Sequence, residues 1–164
     1  MLSSAAKEYM KVYGVLVGKK PLIFTNNDSG YETAIEFKKN GVNPLILDTR
    51  KEPSSDIITE AKNLGIEIKY SYVVVAAKGY KKVKSADIAK ISDNKKDLSN
   101  IENIECDCIC VSGFWTPSIH LASQSGNKSE FNEKIDAFIP KKSKQKENTI
   151  GSANGKFTLE ETIN

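Results

Sequence analysis

Short apolar runs alternate with amphipathic stretches through the first half of the chain. PLIFT (21–25), PLILD (44–48) and GIEIK (65–69) have the length and composition of buried strands. Between the first two, Tyr31, Ala34, Ile35 and Phe37 recur at helical spacing, and Asn40-Gly41 closes the segment. Between the second and third, Ile57, Ile58, Ala61 and Leu64 define another helix, capped by Ser54 or Ser55 and stopped at Gly65. A leading helix over Ser4–Tyr13, with Ala5, Tyr9 and Val12 on one face, precedes the first strand. The βαβαβ alternation with short connections predicts a parallel sheet with right-handed crossovers, the plan of a mononucleotide-binding half-fold.

The pattern then changes. YVVVAAK (72–78) and KKVKSADIAKI (81–91) read as antiparallel strands around a Gly79-Tyr80 turn, Ser92 to Glu105 as a polar loop, and CDCICVS (106–112) as a returning strand. The expected fold is α/β, a Rossmann-like βαβαβ parallel sheet with an antiparallel β-meander, the order found in pyridine-nucleotide domains of flavin-linked reductases. Beyond Leu121 the periodicity weakens to two short helical stretches, Glu130–Ala137 and Leu159–Ile163, joined by polar linker. The expected division is a leading helix and linker over 1–19, a nucleotide-binding domain over 20–121, and a segment over 122–164 that does not read as a self-sufficient domain.

Composition narrows the function classes. The 164 residues suffice for one core of ordinary size. A 39% hydrophobic and 27% charged fraction, and no apolar run of spanning length, argue against a membrane role. The net charge of +3 comes from dispersed lysines, and the one dense cluster, PKKSKQK (140–146), has no interleaved aromatics, which argues against nucleic-acid binding. The first residues lack the basic-then-apolar order of a signal peptide, so a cytoplasmic location is expected. Cys106, Cys108 and Cys110 lie two apart along the returning strand, so their thiols share a face in a row, an arrangement unsuited to one tetrahedral metal; buried small hydrophobes are the expectation.

The chemistry concentrates in FTNNDSGY (24–31). A dinucleotide loop needs a tight turn, a close backbone approach to the pyrophosphate and close helix packing, normally supplied by G-x-G-x-x-G. Here those positions hold Thr25, Asn27 and Gly30, so only the packing glycine is present. Asn26 and Asn27 tolerate left-handed backbone and can make the turn, while the side chains of Thr25, Asn26, Asn27 and Ser29 add hydrogen-bonding groups beside the helix N-terminus. Asp28 opposes an anion unless it turns away to cap the helix or meets a hydroxyl or water. Asp48 ends the second strand 23 positions after Thr25, near the spacing for a ribose acceptor, and disfavours a 2′-phosphate. Arg50 tempers this, being able to stack on adenine or pair with a phosphate. Ser112-Gly113 closes the returning strand where ligands sit in open α/β sheets, and Gly113 allows close approach. Trp115 either covers a cofactor or plugs a domain seam. His120 has no Ser, Cys or carboxylate motif beside it and is assigned a structural or interface role; no catalytic residue and no metal site are assigned.

KEYMKVYGVLVGKKPLIFTNNDSGYETA, the LILDTR strand end, ECDCICVSGFWTPSIHLASQSG and IGSANGKFTLEE together resemble successive landmarks of the alpha subunit of heterotetrameric sarcosine oxidase, with FTNNDSGY the most specific. The resemblance covers essentially the whole chain. It implies an NAD-binding domain inserted in an FAD domain, with NAD contacts at Asn26, Asn27, Asp28, Ser29, Asp48, Arg50, Ser112 and Gly113. It implies that Gly151, Ser152, Ala153 and Asn154 lie on the FAD side of a parent enzyme. That family oxidises sarcosine with oxygen, passes the methyl group to tetrahydrofolate, and carries FAD, FMN and NAD in an αβγδ assembly. The implied partners are the beta, gamma and delta subunits and the rest of the FAD domain. Phe114 departs from the family pattern, in which a second glycine is common. With neither an FAD glycine fingerprint nor an aminomethyltransferase-like portion, the chain by itself is expected to bind NAD without retaining FAD or FMN and without turnover. A structural, subunit-bridging domain with a degenerate loop, or a subunit of an NAD-linked amine or imino-acid dehydrogenase, are the alternatives.

Overall fold

The computed structural model describes residues 1–92, 98–113, 115–135, 137–143 and 145–163. The departure noted at Phe114, and residues 93–97 of the expected polar loop, lie outside them. The chain forms two compact units, Met1–Gly113 and Phe114–Asn164.

In the first unit, β1 (Pro21–Thr25), β2 (Leu45–Asp48), β3 (Glu67–Tyr70) and β7 (Cys108–Ser112) form a parallel sheet in the order β3-β2-β1-β7. A second, antiparallel sheet holds β4 (Tyr72–Gly79), β5 (Val83–Ile91) and β6 (Leu98–Glu105). The helices are α1 (Ser3–Tyr13), α2 (Ser29–Lys39) and α3 (Asp56–Asn63). Both faces of the parallel sheet are covered, which is why its strands read as continuous apolar runs. Ile23, Ile46, Cys108 and Cys110 pack with Ala6, Met10, Tyr31, Ala34, Phe37, Ile58 and Ala61 from the helices. Leu22 and Leu47 pack on the other side with Ala86 and Ile88 of the meander. The predicted α/β architecture, a Rossmann-like parallel sheet with an antiparallel meander, is the one observed.

Four expectations are corrected. The leading helix forms, but it buries Ser3, Ala6 and Met10, and leaves Tyr9 and Val12 46% and 67% exposed. Stripes at helical spacing are available on either side of so mixed a sequence, and the one carrying Ala6 and Met10 packs against the core with Ile23, Tyr31 and Cys110. Leu98–Glu105 is a strand rather than loop. Its two-residue alternation is interrupted where Asn100 and Ile101 together oppose Ala89, a bulge with Asn100 at φ 49°.

The cysteines do not form a row of three. The N–H of Cys106 bonds Lys84 O, so Cys106 stays with the meander core; the chain crosses to the parallel sheet at Asp107, whose carboxylate accepts the N–H groups of Lys19 and Lys20 at 2.8 Å. Only Cys108 and Cys110 share a face, with sulfurs 3.6 Å apart. Finally, the helix expected over Glu130–Ala137 is replaced by a hairpin of β8 (Ser129–Asn132) and β9 (Ala137–Pro140), in which Phe131 and Phe138 pair edge to face. An aromatic pair directly opposite across two strands outweighs weak helical propensity. The second unit also holds α4 (His120–Gln124), a 3₁₀ turn over Gly151–Asn154, and α5 (Leu159–Ile163), which matches expectation.

Candidate functional site

Between β1 and β7 the strand order reverses direction from the β1-β2-β3 run, and the crevice at the carboxyl end of that boundary is where open α/β sheets place ligands. Thr25 and Ser112 are register partners at its floor. The loop leaving β1 therefore faces the end of β7.

The loop is held by side chains. Thr25 Oγ1 donates to Asn27 O at 2.8 Å and accepts from the Asn27 N–H at 3.2 Å. Asn27 Oδ1 accepts the Ser29 N–H at 3.0 Å and lies 2.7 and 3.1 Å from the hydroxyls of Ser29 and Ser112, themselves 2.6 Å apart. Asn27 Nδ2 donates to Gly113 O and to Asn26 Oδ1, and the Asn26 N–H reaches Ser112 O at 3.3 Å. One amide thus ties the start of α2 to the end of β7. This corrects the expectation of a turn made in left-handed backbone. Among the described residues the non-glycine positions with positive φ are Glu52, Ser71 and Asn100, so Asn26 and Asn27 turn the chain by side-chain hydrogen bonding.

Gly30 is the packing glycine. A Cβ there would sit 2.6 Å from both Cβ and Oγ1 of Thr25, so α2 can approach β1 this closely only with glycine. Gly113, by contrast, faces open space, with nothing within 4 Å of an added Cβ.

Asp48 is fully buried and saturated. Its carboxylate accepts the Tyr31 hydroxyl at 2.7 Å, the Arg50 N–H at 2.9 Å, and Arg50 Nε and Nη2 at 3.1 and 2.8 Å. Arg50 Nη1 meets Asp28 Oδ1 at 2.9 Å. Asp28 therefore does not cap α2 with its side chain as one expectation had it; it precedes the helix in αR backbone, and in place of a hydroxyl or water its carboxylate meets Arg50. The Asx interaction of Asn27 has already taken the Ser29 N–H, leaving the Asp28 carboxylate to find the cation. Burial works against the Arg50 charge, yet the hydrogen bonds of Asp48 and Asp28 hold its pKa above the usual value. Burial, then the bond to Asp48, pushes the Tyr31 phenol well above its ordinary range. Tyr31 was missed as a site residue because an aromatic on an apolar helix face reads as core; its β2 partner was the available signal.

A cavity of about 650 Å³ opens beside this cluster, lined by Lys51, Glu52, Tyr70, Ser71, Lys90, Ile91 and Ser92. Tyr70 is the register partner of Asp48 on β3, and the Ser71 N–H bonds Arg50 O, so the cavity continues from the end of β2. The structure thus brings Thr25, Asn26, Asn27, Asp28, Ser29, Gly30, Asp48, Arg50, Ser112 and Gly113 to one edge of the first unit.

The second unit is separate. Gly151, Ser152, Ala153 and Asn154 form its 3₁₀ turn, Trp115 is exposed with its ring 6.3 Å from that of Phe157, and His120 is exposed at the start of α4. The Cys110 thiol is pushed up by its bond to Cys108 and by burial. Among the described residues no cluster of three or more His, Cys, Asp or Glu is arranged to hold a metal, and no helix is long and apolar enough to cross a membrane.

The fold is the Rossmann-like α/β fold of flavin-linked reductases, and the loop residues gather where such sheets place ligands. Over nearly its whole length the chain is similar to sarcosine oxidase alpha subunits. It is 26% identical to that of Corynebacterium sp. (strain P-1) over 159 residues, 96% of this chain and 16% of that protein. It is 30% identical to that of Rhizobium meliloti (strain 1021) over 140 residues, 85% of this chain and 13% of that one. The chain spans between about an eighth and a sixth of the length of these curated relatives. No protein-family model matches. Among solved structures, T. acidophilum thioredoxin reductase superposes with a TM-score of 0.62 at 18% identity, over 78% of this chain and 40% of that one. The bacillithiol disulfide reductase of Staphylococcus aureus gives 0.58 at 18% identity, over 85% and 47%. These relatives are oxidoreductases, and the structural likeness is one of fold.

Proposed function

We propose that this chain is the NAD-binding domain of a sarcosine oxidase alpha subunit-like flavoenzyme. One observation carries the reading: Asn27 and Ser29, at the start of α2, meet Ser112 and Gly113 at the carboxyl end of β7, across the boundary where a dinucleotide crosses such a sheet. The similarity to sarcosine oxidase alpha subunits over the same segments supports the particular family.

The residues fit the cofactor. The positive end of the α2 dipole favours a pyrophosphate beside the loop, and the open space at Gly113 admits close approach. Thr25, Asn26, Asn27, Ser29 and Gly30 shape the phosphate loop, the buried Asp48 holds Arg50 in place at the ribose end, and the neighbouring cavity has room for an adenine. NAD, when bound, supplies hydride-transfer capacity or a fixed structural charge. In the parent enzyme the chemistry is oxidative demethylation of sarcosine, with the methyl group passed to tetrahydrofolate and hydrogen peroxide formed at the flavin. Residues 20–121 form the NAD-binding part and 122–164 a returning part of the FAD domain, with Gly151 to Asn154 on its FAD side. FAD and FMN belong to that cytoplasmic heterotetramer, and its beta, gamma and delta subunits are the partners.

Calorimetry with NAD and NADP tests the reading. Saturable NAD binding that weakens in Asp48→Ala supports it; no heat with either nucleotide sinks it. A second reading, a subunit-bridging domain, is favoured by one feature: the loop side chains are bonded to one another and the Asp48 carboxylate is fully buried.

A further inference from the structure

We infer that Asp28, acting through Arg50, sets the preference of this site for a free ribose 2′-hydroxyl over a 2′-phosphate. The inference rests on the NAD-binding reading and names the residue that gives it specificity.

An arginine just after the second strand is well placed to grasp a 2′-phosphate, because its planar fork matches phosphate oxygens two at a time. Arg50 stands at that place, yet its guanidinium is occupied on both sides. Nε and Nη2 face Asp48, and Nη1 faces Asp28 from the phosphate loop, at 2.9 Å. Asp28, Asp48 and Arg50 by themselves sum to one net negative charge, and Lys51, Glu52 and Lys90 line the cavity beyond them. A 2′-phosphate, carrying about −1.5 to −2 at neutral pH, would meet that net charge and would have to break an existing ion pair to gain its own. A ribose hydroxyl meets neither obstacle, since it is neutral and both donates and accepts.

Asp48 alone does not produce this arrangement. It is fully buried and binds Tyr31 as well as Arg50, so it is spoken for whatever Asp28 does. Asp28 is 44% exposed and lies on the loop side; removing its charge releases Nη1 and brings the cluster to neutrality without opening the core. The same contact accounts for an acidic residue in a phosphate loop, where it otherwise repels the ligand: its negative charge is spent on Arg50.

The test compares 5′-AMP with adenosine 2′,5′-bisphosphate, and NAD with NADP, by calorimetry on the full chain. The unaltered protein, Asp28→Asn, Arg50→Ala and the double variant are titrated, with circular dichroism confirming the fold of each. The expected result is a preference for the 2′-hydroxyl ligands that shrinks about tenfold in Asp28→Asn, the shrinkage being absent when Arg50 is also replaced. An unchanged preference in a folded Asp28→Asn protein that still binds NAD overturns the inference and leaves the NAD-binding reading standing. Failure of the unaltered protein to bind any of the four ligands overturns both.

Discussion

The hydroxyl of Tyr31, at the start of α2, donates to the carboxylate of Asp48, at the end of β2, across 2.7 Å of fully buried interior. The bond fixes the carboxylate from below while Arg50 fixes it from above. Its cost and value are both large, because an ion this deep is tolerated only when its oxygens are occupied.

Replacing Tyr31 with Phe tests that bond. The loss of a donor to a buried carboxylate should cost about 1–3 kcal/mol at neutral pH, read from urea unfolding. The raised phenol pKa adds a signature. In the unfolded chain the phenol ionises near pH 10, while in the folded chain it keeps its proton, so the unfolded state binds fewer protons above that point. Stability should hold below about pH 10 and fall by up to about 1.4 kcal/mol per further unit, and this contribution should be missing in Tyr31→Phe.

Gly30 and Gly113 should separate packing from access. Gly30→Ala drives a Cβ into Thr25 and should lower stability by about 1–3 kcal/mol in thermal or urea unfolding. Gly113→Ala meets no atom and should stay within about 0.5 kcal/mol of the parent. Under the proposed function it should still weaken NAD binding, since the added methyl stands where the ligand approaches.

Asn27→Ala removes the amide that joins the loop, α2 and β7. Stability should fall by about 1–3 kcal/mol, with amide exchange accelerating at Ser29. Asn27→Asp keeps the acceptor for the Ser29 N–H and loses the donor to Gly113 O, so it should recover the Ser29 protection while leaving the β7 end loosened.

Ser71 turns the chain from the parallel sheet into the meander at φ 58°, a region costly for a side chain. Ser71→Gly should therefore raise stability by up to about 1 kcal/mol, and Ser71→Val should lower it by more, in the same unfolding assay.

The parallel sheet was legible because covered strands carry unbroken apolar runs, as PLIFT and LILD do, and because Gly30 and Asn40-Gly41 punctuate α2. What failed to show was set by partners distant in sequence. The strand over Leu98–Glu105 hid behind a bulge opposite Ala89, and the β8–β9 hairpin depends on Phe131 meeting Phe138. The residues expected at the candidate site come together at one edge of the first unit. Its internal wiring was not legible: nothing local says that Asp28 belongs to Arg50, or that Tyr31 belongs to Asp48, until β1 and β2 lie side by side.

The amide of Asn27 finds its distant partner 86 positions further along the chain, at Gly113. Everything from β1 to β3 can assemble through near neighbours, but the loop reaches its final form only after the whole meander has been traversed and β7 has docked. Closing so long a loop is slow relative to local assembly. The edge formed by the β1 loop and β7 is thus among the last parts of the domain to form, and damage to β7 docking should show as slower protection of the loop amides in a protein whose helices have already folded.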